Sequence, residues 1–273
     1  MTERPIKNAT AEEAEAAPVR FGKRAVLSFG AVLATAIAFA ILLILVKSKS
    51  AGLLRLDNGV AGDLHRFVRS HRTFTSAMRA ATDLGSSPVW WAILLPVASW
   101  LAFRRLPRLA AFVLVTAIGS SLLNNAIKLV VDRARPHLAD PVATAGGGSF
   151  PSGHAQAAIV GYGILLLVFL PLVARAARPS LIAFAGLLVL TIGLSRIALG
   201  VHFFSDVIGG YLIGGAWLVA MTHAFSAWRT EEGKPPVRPA EGLEPEQAER
   251  IGPGPAVHAP PENRSAARGM GTT

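Results

Sequence analysis

Residues Pro151–Ala174 read PSGHAQAAIVGYGILLLVFLPLVA, and from Ala155 to Ala174 no side chain carries a charge. An uncharged apolar run of about 20 residues is what one helix needs to cross the hydrocarbon core of a bilayer. Outward from this segment the pattern repeats. Apolar runs occupy Ala25–Val46, Ser87–Phe103, Leu109–Ile127, Ser180–Leu194 and Val207–Phe225, with His154–Ala174 between them. The shorter runs are accommodated by tilt and by buried polar ends. The expectation is an all-α integral membrane protein with six transmembrane helices. Ala25–Val46 is too long for the apolar core of a cleaved signal peptide and reads as a retained anchor.

Composition agrees. Of 273 residues, 52% are hydrophobic and only 16% charged, against about 25% charged in an ordinary soluble domain. Mean hydropathy is +0.45. A soluble globule and a wholly disordered chain are both excluded, since each needs more polar surface. The net charge is +10. In a soluble chain this would point to nucleic acid; in a membrane chain it reads as basic loops against lipid head groups and cations kept for an anionic ligand. Cysteine is absent, which removes disulfides, thiolate metal sites and a cysteine nucleophile.

The connections set the expected topology. Arg104-Arg105-Leu106-Pro107-Arg108 and Arg175-Ala176-Ala177-Arg178-Pro179 are short and purely basic, which marks them as cytoplasmic. Six spans then place both termini in the cytoplasm of a multi-pass cell-membrane protein, with the intervening loops extracytoplasmic. The first loop, 47–86, carries seven Lys/Arg and three Asp, with Leu53, Leu56, Val60, Leu64, Phe67, Phe74 and Met78 at helical spacing. It reads as an amphipathic helix on the outer leaflet. The expected organisation is a cytoplasmic segment 1–24, a membrane domain 25–225 and a tail 226–273. With eight prolines and seven glutamates, that tail reads as disordered.

Between Leu84 and Trp228 the chain has three carboxylates, Asp132, Asp140 and Asp206. Charges at or inside spans are costly and mark function. The polar exceptions gather in three segments: Lys128 to Pro136, Gly146 to His154, and Ser195 to Asp206. Loops after odd spans share one face of the membrane, so topology unites the three. Lys128 and Arg135, seven apart, are expected on one helix face, with Pro136 ending the helix at Arg135. Ser152 is positioned to cap the fourth span, and Gly153 lets the helix N-terminus approach an anion. His202 and Asp206, four apart, allow the carboxylate to bond the imidazole. Three cations, free N–H groups, two histidines and one carboxylate suit phosphate.

These residues resemble the type-2 phosphatidic acid phosphatase superfamily. Its three-part pattern is matched by Lys128 with Arg135-Pro136, by Pro151-Ser152-Gly153-His154, and by Ser195-Arg196 with His202 and Asp206. The resemblance covers roughly 25–225. It implies a lipid phosphate phosphatase without metal or cofactor, acting through a phosphohistidine. His202 would be the nucleophile, Asp206 its orienting partner and His154 the general acid and base. Lys128, Arg135, Arg196, Ser152 and Gly153 would hold the phosphate oxygens. The implied partners are membrane lipids and a lipid phosphate. Undecaprenyl diphosphate stands first, before phosphatidic acid and phosphatidylglycerol phosphate.

Two other classes remain. A lipid phosphotransferase would carry the same motifs. An anion transporter would place its cations near the bilayer midplane, often within inverted repeats, and no repeat is evident. Vanadium-dependent haloperoxidases share the anion site, but those relatives are soluble. Arg133 and His137 read as interfacial residues, and His65, His71, His223 and His258 as structural ones. Gly210 and Gly214 read as close helix packing within one chain.

Overall fold

The computed structural model describes residues 30–252, apart from residue 31, residues 139–142 and residues 144–145. The first 24 residues, the start of the anchor, Asp140 and residues 253–273 lie outside the described residues. The described chain is helical: α1 (Val32–Lys47), α2 (Ala51–Ser70), α3 (Arg72–Asp83), α4 (Ser87–Phe103), α5 (Pro107–Val131), α6 (Gly153–Phe169), α7 (Arg178–Ala198), α8 (Phe204–Glu231) and the short α9 (Ala248–Ile251).

The segments holding α5, α6, α7 and α8 are each long and apolar enough to cross a membrane. α1 and α4 reach that threshold only together with α2 and α3, from which they bend by 90° and 41°. Four to six spans result. Prolines start three of these helices, within the first turns of α4, α5 and α7, where the missing N–H costs nothing. Leu122, Leu129 and Leu187 are more than half exposed, as lipid-facing leucines should be.

Small residues bring the helices together. A Cβ on Gly161 would overlap the Trp90 indole at 2.5 Å, and one on Gly210 would meet the Ser152 carbonyl oxygen at 2.6 Å. α6 therefore lies close against both α4 and α8. Gly214 faces Ile159 and Gln156 in the same way, so the paired glycines serve packing within the chain. Trp90, Leu94, Leu101, Phe112, Val113 and Ile164 fill the centre.

Three expectations change. The first loop forms two helices rather than one, broken at His71. They pack across α7 and α8, with Val68 and Met78 buried against Ala198, Leu199 and Val201. The third span ends at Val131 rather than Arg135. Asp132 adopts the left-handed conformation (φ 43°, ψ 48°) and its N–H closes on the Lys128 carbonyl. Lys128 and Arg135 therefore do not share a helix face. The expected disorder from residue 226 does not hold for 226–252: α8 continues to Glu231 and the following chain folds back. Leu243 is fully buried, its N–H donating to the Leu167 carbonyl at 2.9 Å. Leu243, Glu244 and Ile251 supply buried contacts too sparse to show as periodicity.

Candidate active site

The three motif segments meet at one end of the bundle through their backbones. Ser152 N–H donates to the Asp206 carbonyl at 2.9 Å, and Ser149 N–H to the Arg133 carbonyl at 2.8 Å. Arg135 fastens the loops from inside. Its guanidinium donates to the carbonyls of Gly146 (2.8 Å), Gly147 (3.1 Å), Gly148 (3.4 Å) and Val201 (2.7 Å). Burial lowers the Arg135 pKa, and the charge of Asp206 opposes that shift.

His202 immediately precedes the first turn of α8 and is 2% exposed. Arg135 Nη1 lies 3.3 Å from its Nε2. A guanidinium can only donate, so Nε2 must carry the lone pair and Nδ1 the proton. Nδ1 faces Asp206 Oδ2 at 3.4 Å, within ion-pair range but too poorly aligned for a hydrogen bond. The neutral tautomer is thus assigned by its neighbours, with the lone pair on Nε2. Burial pushes the His202 pKa down to about 4; Asp206 opposes this, and Arg135 and Arg196 reinforce it.

Asp206 is fully buried. Its Oδ2 accepts the Phe203 N–H at 2.9 Å, tying the carboxylate to the helix entry, and its Oδ1 accepts from Arg133 at 2.7 Å. Arg133 is therefore not interfacial. It reaches Asp57 Oδ2 at 2.8 Å and lies over the Phe203 ring at 4.3 Å. Asp57, fully buried on α2, caps α8 by accepting the Ser205 N–H at 2.9 Å and hydroxyl at 2.6 Å. Neither Asp57 nor Arg133 was selected from the sequence. The signal available was one carboxylate breaking the apolar stripe of α2.

The remaining candidates keep donors unspent. α6 starts at Gly153, and the Ser152 hydroxyl accepts from Ala155 N–H at 3.5 Å. That leaves the N–H groups of Gly153 and His154 at the open helix end, where the dipole favours an anion. Ser152 is fully buried, its own N–H is committed to the Asp206 carbonyl, and its hydroxyl caps α6. A Cβ on Gly153 would lie 3.9 Å from Lys128 Nζ. Among the described residues Lys128 has no hydrogen-bond or ion-pair partner. Arg196 donates from Nη1 to Thr82 Oγ1 at 2.5 Å, while its buried Nε has no hydrogen-bond partner among the described residues. His154 lies within electrostatic reach of Arg196, His202, Lys128 and Arg135. His137 is exposed.

Beside Gly153 a cleft of about 110 Å³ opens between α4, α5 and α6, lined by Ser87, Trp90, Trp91, Ser121, Asn124 and Asn125 among others. Asn124 donates to Gln156 at 2.7 Å, and Gln156 to the Ser120 hydroxyl at 2.9 Å.

A multi-helix membrane fold that gathers cations and free N–H groups at its helix ends defines the class. The PAP2 superfamily profile matches residues 109–230, which hold all three motifs. Phosphatidylglycerophosphatase B of Bacillus subtilis (strain 168) is 31% identical over 140 residues, half of this chain and 68% of that protein. The chain belongs to the PAP2 superfamily. The crystal structure of a transmembrane PAP2 type phosphatidylglycerolphosphate phosphatase from Bacillus subtilis superposes with a TM-score of 0.64. It is 24% identical and covers 74% of this chain and 97% of its own. The shared architecture is that of a multi-pass membrane protein.

Proposed function

We propose that the protein is a membrane lipid phosphate phosphatase working through a phosphohistidine on His202. The observation that carries this is the set of unspent donors, Lys128 Nζ, Arg196 Nε and the N–H groups of Gly153 and His154, gathered with a lone-pair nitrogen on His202.

In the first half-reaction His202 Nε2 attacks phosphorus in line and the P–O bond to the lipid breaks. Protonated His154 gives its proton to the leaving oxygen. The imidazole becomes positively charged, and Asp206 supports that charge. In the second half-reaction neutral His154 takes a proton from water, which attacks phosphorus and breaks the P–N bond. Lys128, Arg135, Arg196 and the α6 N-terminus stabilise the charge on the phosphoryl oxygens. The donor set argues against a metal: it is cationic, and the Asp206 carboxylate is already engaged by Arg133, the Phe203 N–H and His202. A two-metal site would need clustered carboxylates.

A site at span ends, with a cleft opening between α4 and α5, suits a phosphate at head-group level with its anchor in lipid. The candidates are undecaprenyl diphosphate, phosphatidic acid and phosphatidylglycerol phosphate. The named relative supports the last, and the outward orientation expected from the basic loops supports the first. Phosphate release from these three lipids and from a soluble monoester, in one detergent after EDTA treatment, tests the reading. Release from a lipid that vanadate inhibits is expected, and His202→Ala should lower it by ~10⁴-fold or more. Preference for the soluble ester, or loss with EDTA restored by Mg²⁺, overturns it.

A further inference from the structure

α2 lies outside the segment that carries the family motifs, yet its second turn reaches the candidate active site. Asp57 is fully buried and spends both oxygens there. One accepts the Ser205 N–H at the start of α8; the other accepts the Ser205 hydroxyl and Arg133 Nη2. Arg133 Nη1 in turn reaches Asp206 Oδ1 and the Ser205 hydroxyl, both at 2.7 Å. The chain Asp57–Arg133–Asp206 alternates in charge and ends on the carboxylate facing His202.

We propose that Asp57 and Arg133 are positioning residues that fix the rotamer and the effective charge of Asp206, and through it the readiness of His202 to accept positive charge. The proposal rests on the reading of His202 as nucleophile. Arg133 occupies Oδ1, so Oδ2 alone is left for Phe203 N–H and the imidazole. Its charge by itself would make Asp206 a weaker partner for a histidine that must become cationic, and Asp57 cancels that charge. Buried pairs of this kind are worth little beyond an apolar replacement when intact and cost much when halved. Their retention here is explained by what they hold in place.

Four other groups surround His202 or its near neighbours: Arg135 from the loop after α5, Arg196 on α7, and His154 and Lys128 around the α6 N-terminus. None changes in the variants below, so shifts in the His202 titration report the Asp57–Arg133 pair. The assay is the pH dependence of kcat/KM on dioleoyl phosphatidic acid in detergent micelles, with purified full-length protein.

Asp57→Asn removes a negative charge and should move the acid limb to lower pH. Arg133→Met removes a positive charge and should move it to higher pH. Both should lower kcat by about 10- to 100-fold, with KM within about twofold. Arg133→Lys keeps the charge but not the two-armed geometry, so kcat should fall with the limb unmoved. The double variant D57N/R133M leaves no unpaired charge and should recover part of the kcat lost by either single variant. Shifts in one direction for both single variants, or losses that follow thermal stability with the limb unmoved, overturn the proposal. Wild-type activity in His202→Ala overturns the reading beneath it instead.

Discussion

The two ends of the bundle both bury arginine beside carboxylate, and they do it to different ends. At the far end of α6 the chain after α8 folds back as a strap. Arg229, 2% exposed, donates to Glu246 at 2.7 Å and to the Pro235 carbonyl, with Glu244 at 3.5 Å and Lys234 nearby. Arg104 donates to the carbonyls of Arg250 and Gly252, and Arg250 donates back to those of Arg104 and Arg105. Burial pushes the Glu244 carboxyl up, and Lys234 and Arg229 pull it back. Arg229 and Lys234 meet Glu244 and Glu246 there, Arg108 meets Glu232, and Arg104 and Arg250 spend their donors on carbonyls. At the motif end Lys128, Arg133, Arg135 and Arg196 face the buried carboxylates Asp57 and Asp206, and Lys128 Nζ and Arg196 Nε meet no acceptor among the described residues. A balanced cluster is a fastening. An unbalanced one is a candidate site for an anion.

Paired substitutions sharpen that contrast. Arg229→Ala leaves Glu244 buried with only Lys234, 3.9 Å away, and should lower stability by about 3–5 kcal/mol, while the protein that remains folded keeps its kcat. Arg196→Met should do the reverse. Removing one preorganised donor costs about 10²–10³-fold in kcat, and Thr82 loses only one bond. Thermal unfolding in detergent, read beside kcat, checks both. Equal effects of the two variants on both quantities would erase the distinction between the ends.

A smaller contrast uses glycine. A Cβ at Gly210 would press on the Ser152 carbonyl, and one at Gly242 would press on Pro171 from a backbone at φ 90°. Each alanine variant should cost about 1–3 kcal/mol by overpacking. Gly210→Ala should also lower activity, because the atom it displaces belongs to the turn that starts α6. Gly242→Ala should loosen the strap and leave kcat alone. The same two measurements decide it.

Much of this was legible in the sequence because its causes are local or periodic. Uncharged runs announce spans, and costly polar residues at their ends announce a site; topology alone then gathers Lys128, His154, Arg196 and His202 on one face. What failed depended on contacts between distant segments. The end of α5 at Asp132 is a left-handed residue that the helix pattern does not show. Arg133 reads as interfacial until Asp57, 76 positions away, comes into reach. The strap reads as disordered because its order comes from Leu243 and Ile251 meeting the bundle, and single buried residues in a proline-rich tail leave no repeating pattern. The binding contributions of Lys128 and Arg196 stay proposals resting on spacing and unspent donors.

The smallest expected effect concerns the proton on His202. Its pKa of about 4 lies below the ordinary value near 6.5, so the folded state resists protonation that the unfolded chain accepts. The stability tied to this group is fully present above about pH 6.5 and is lost as pH falls through about 4. On the proposed mechanism activity follows the same group, because attack by His202 would need the neutral imidazole. The acid limb of kcat/KM, which reports free enzyme, should therefore contain a titration near pH 4. Ionisation of the substrate adds a second titration, but this is common to all variants. Asp206 is the group that holds the His202 pKa up against burial, Arg135 and Arg196. Asp206→Asn should accordingly move the His202 titration to lower pH by about one unit or less, equivalent to ~1.4 kcal/mol or less, and lower the plateau. Arg229→Ala, at the balanced end, should leave it in place. A limb that moves upward in Asp206→Asn would mean that Asp206 does not favour the imidazolium, and the charge imbalance at this end of the bundle would need another explanation.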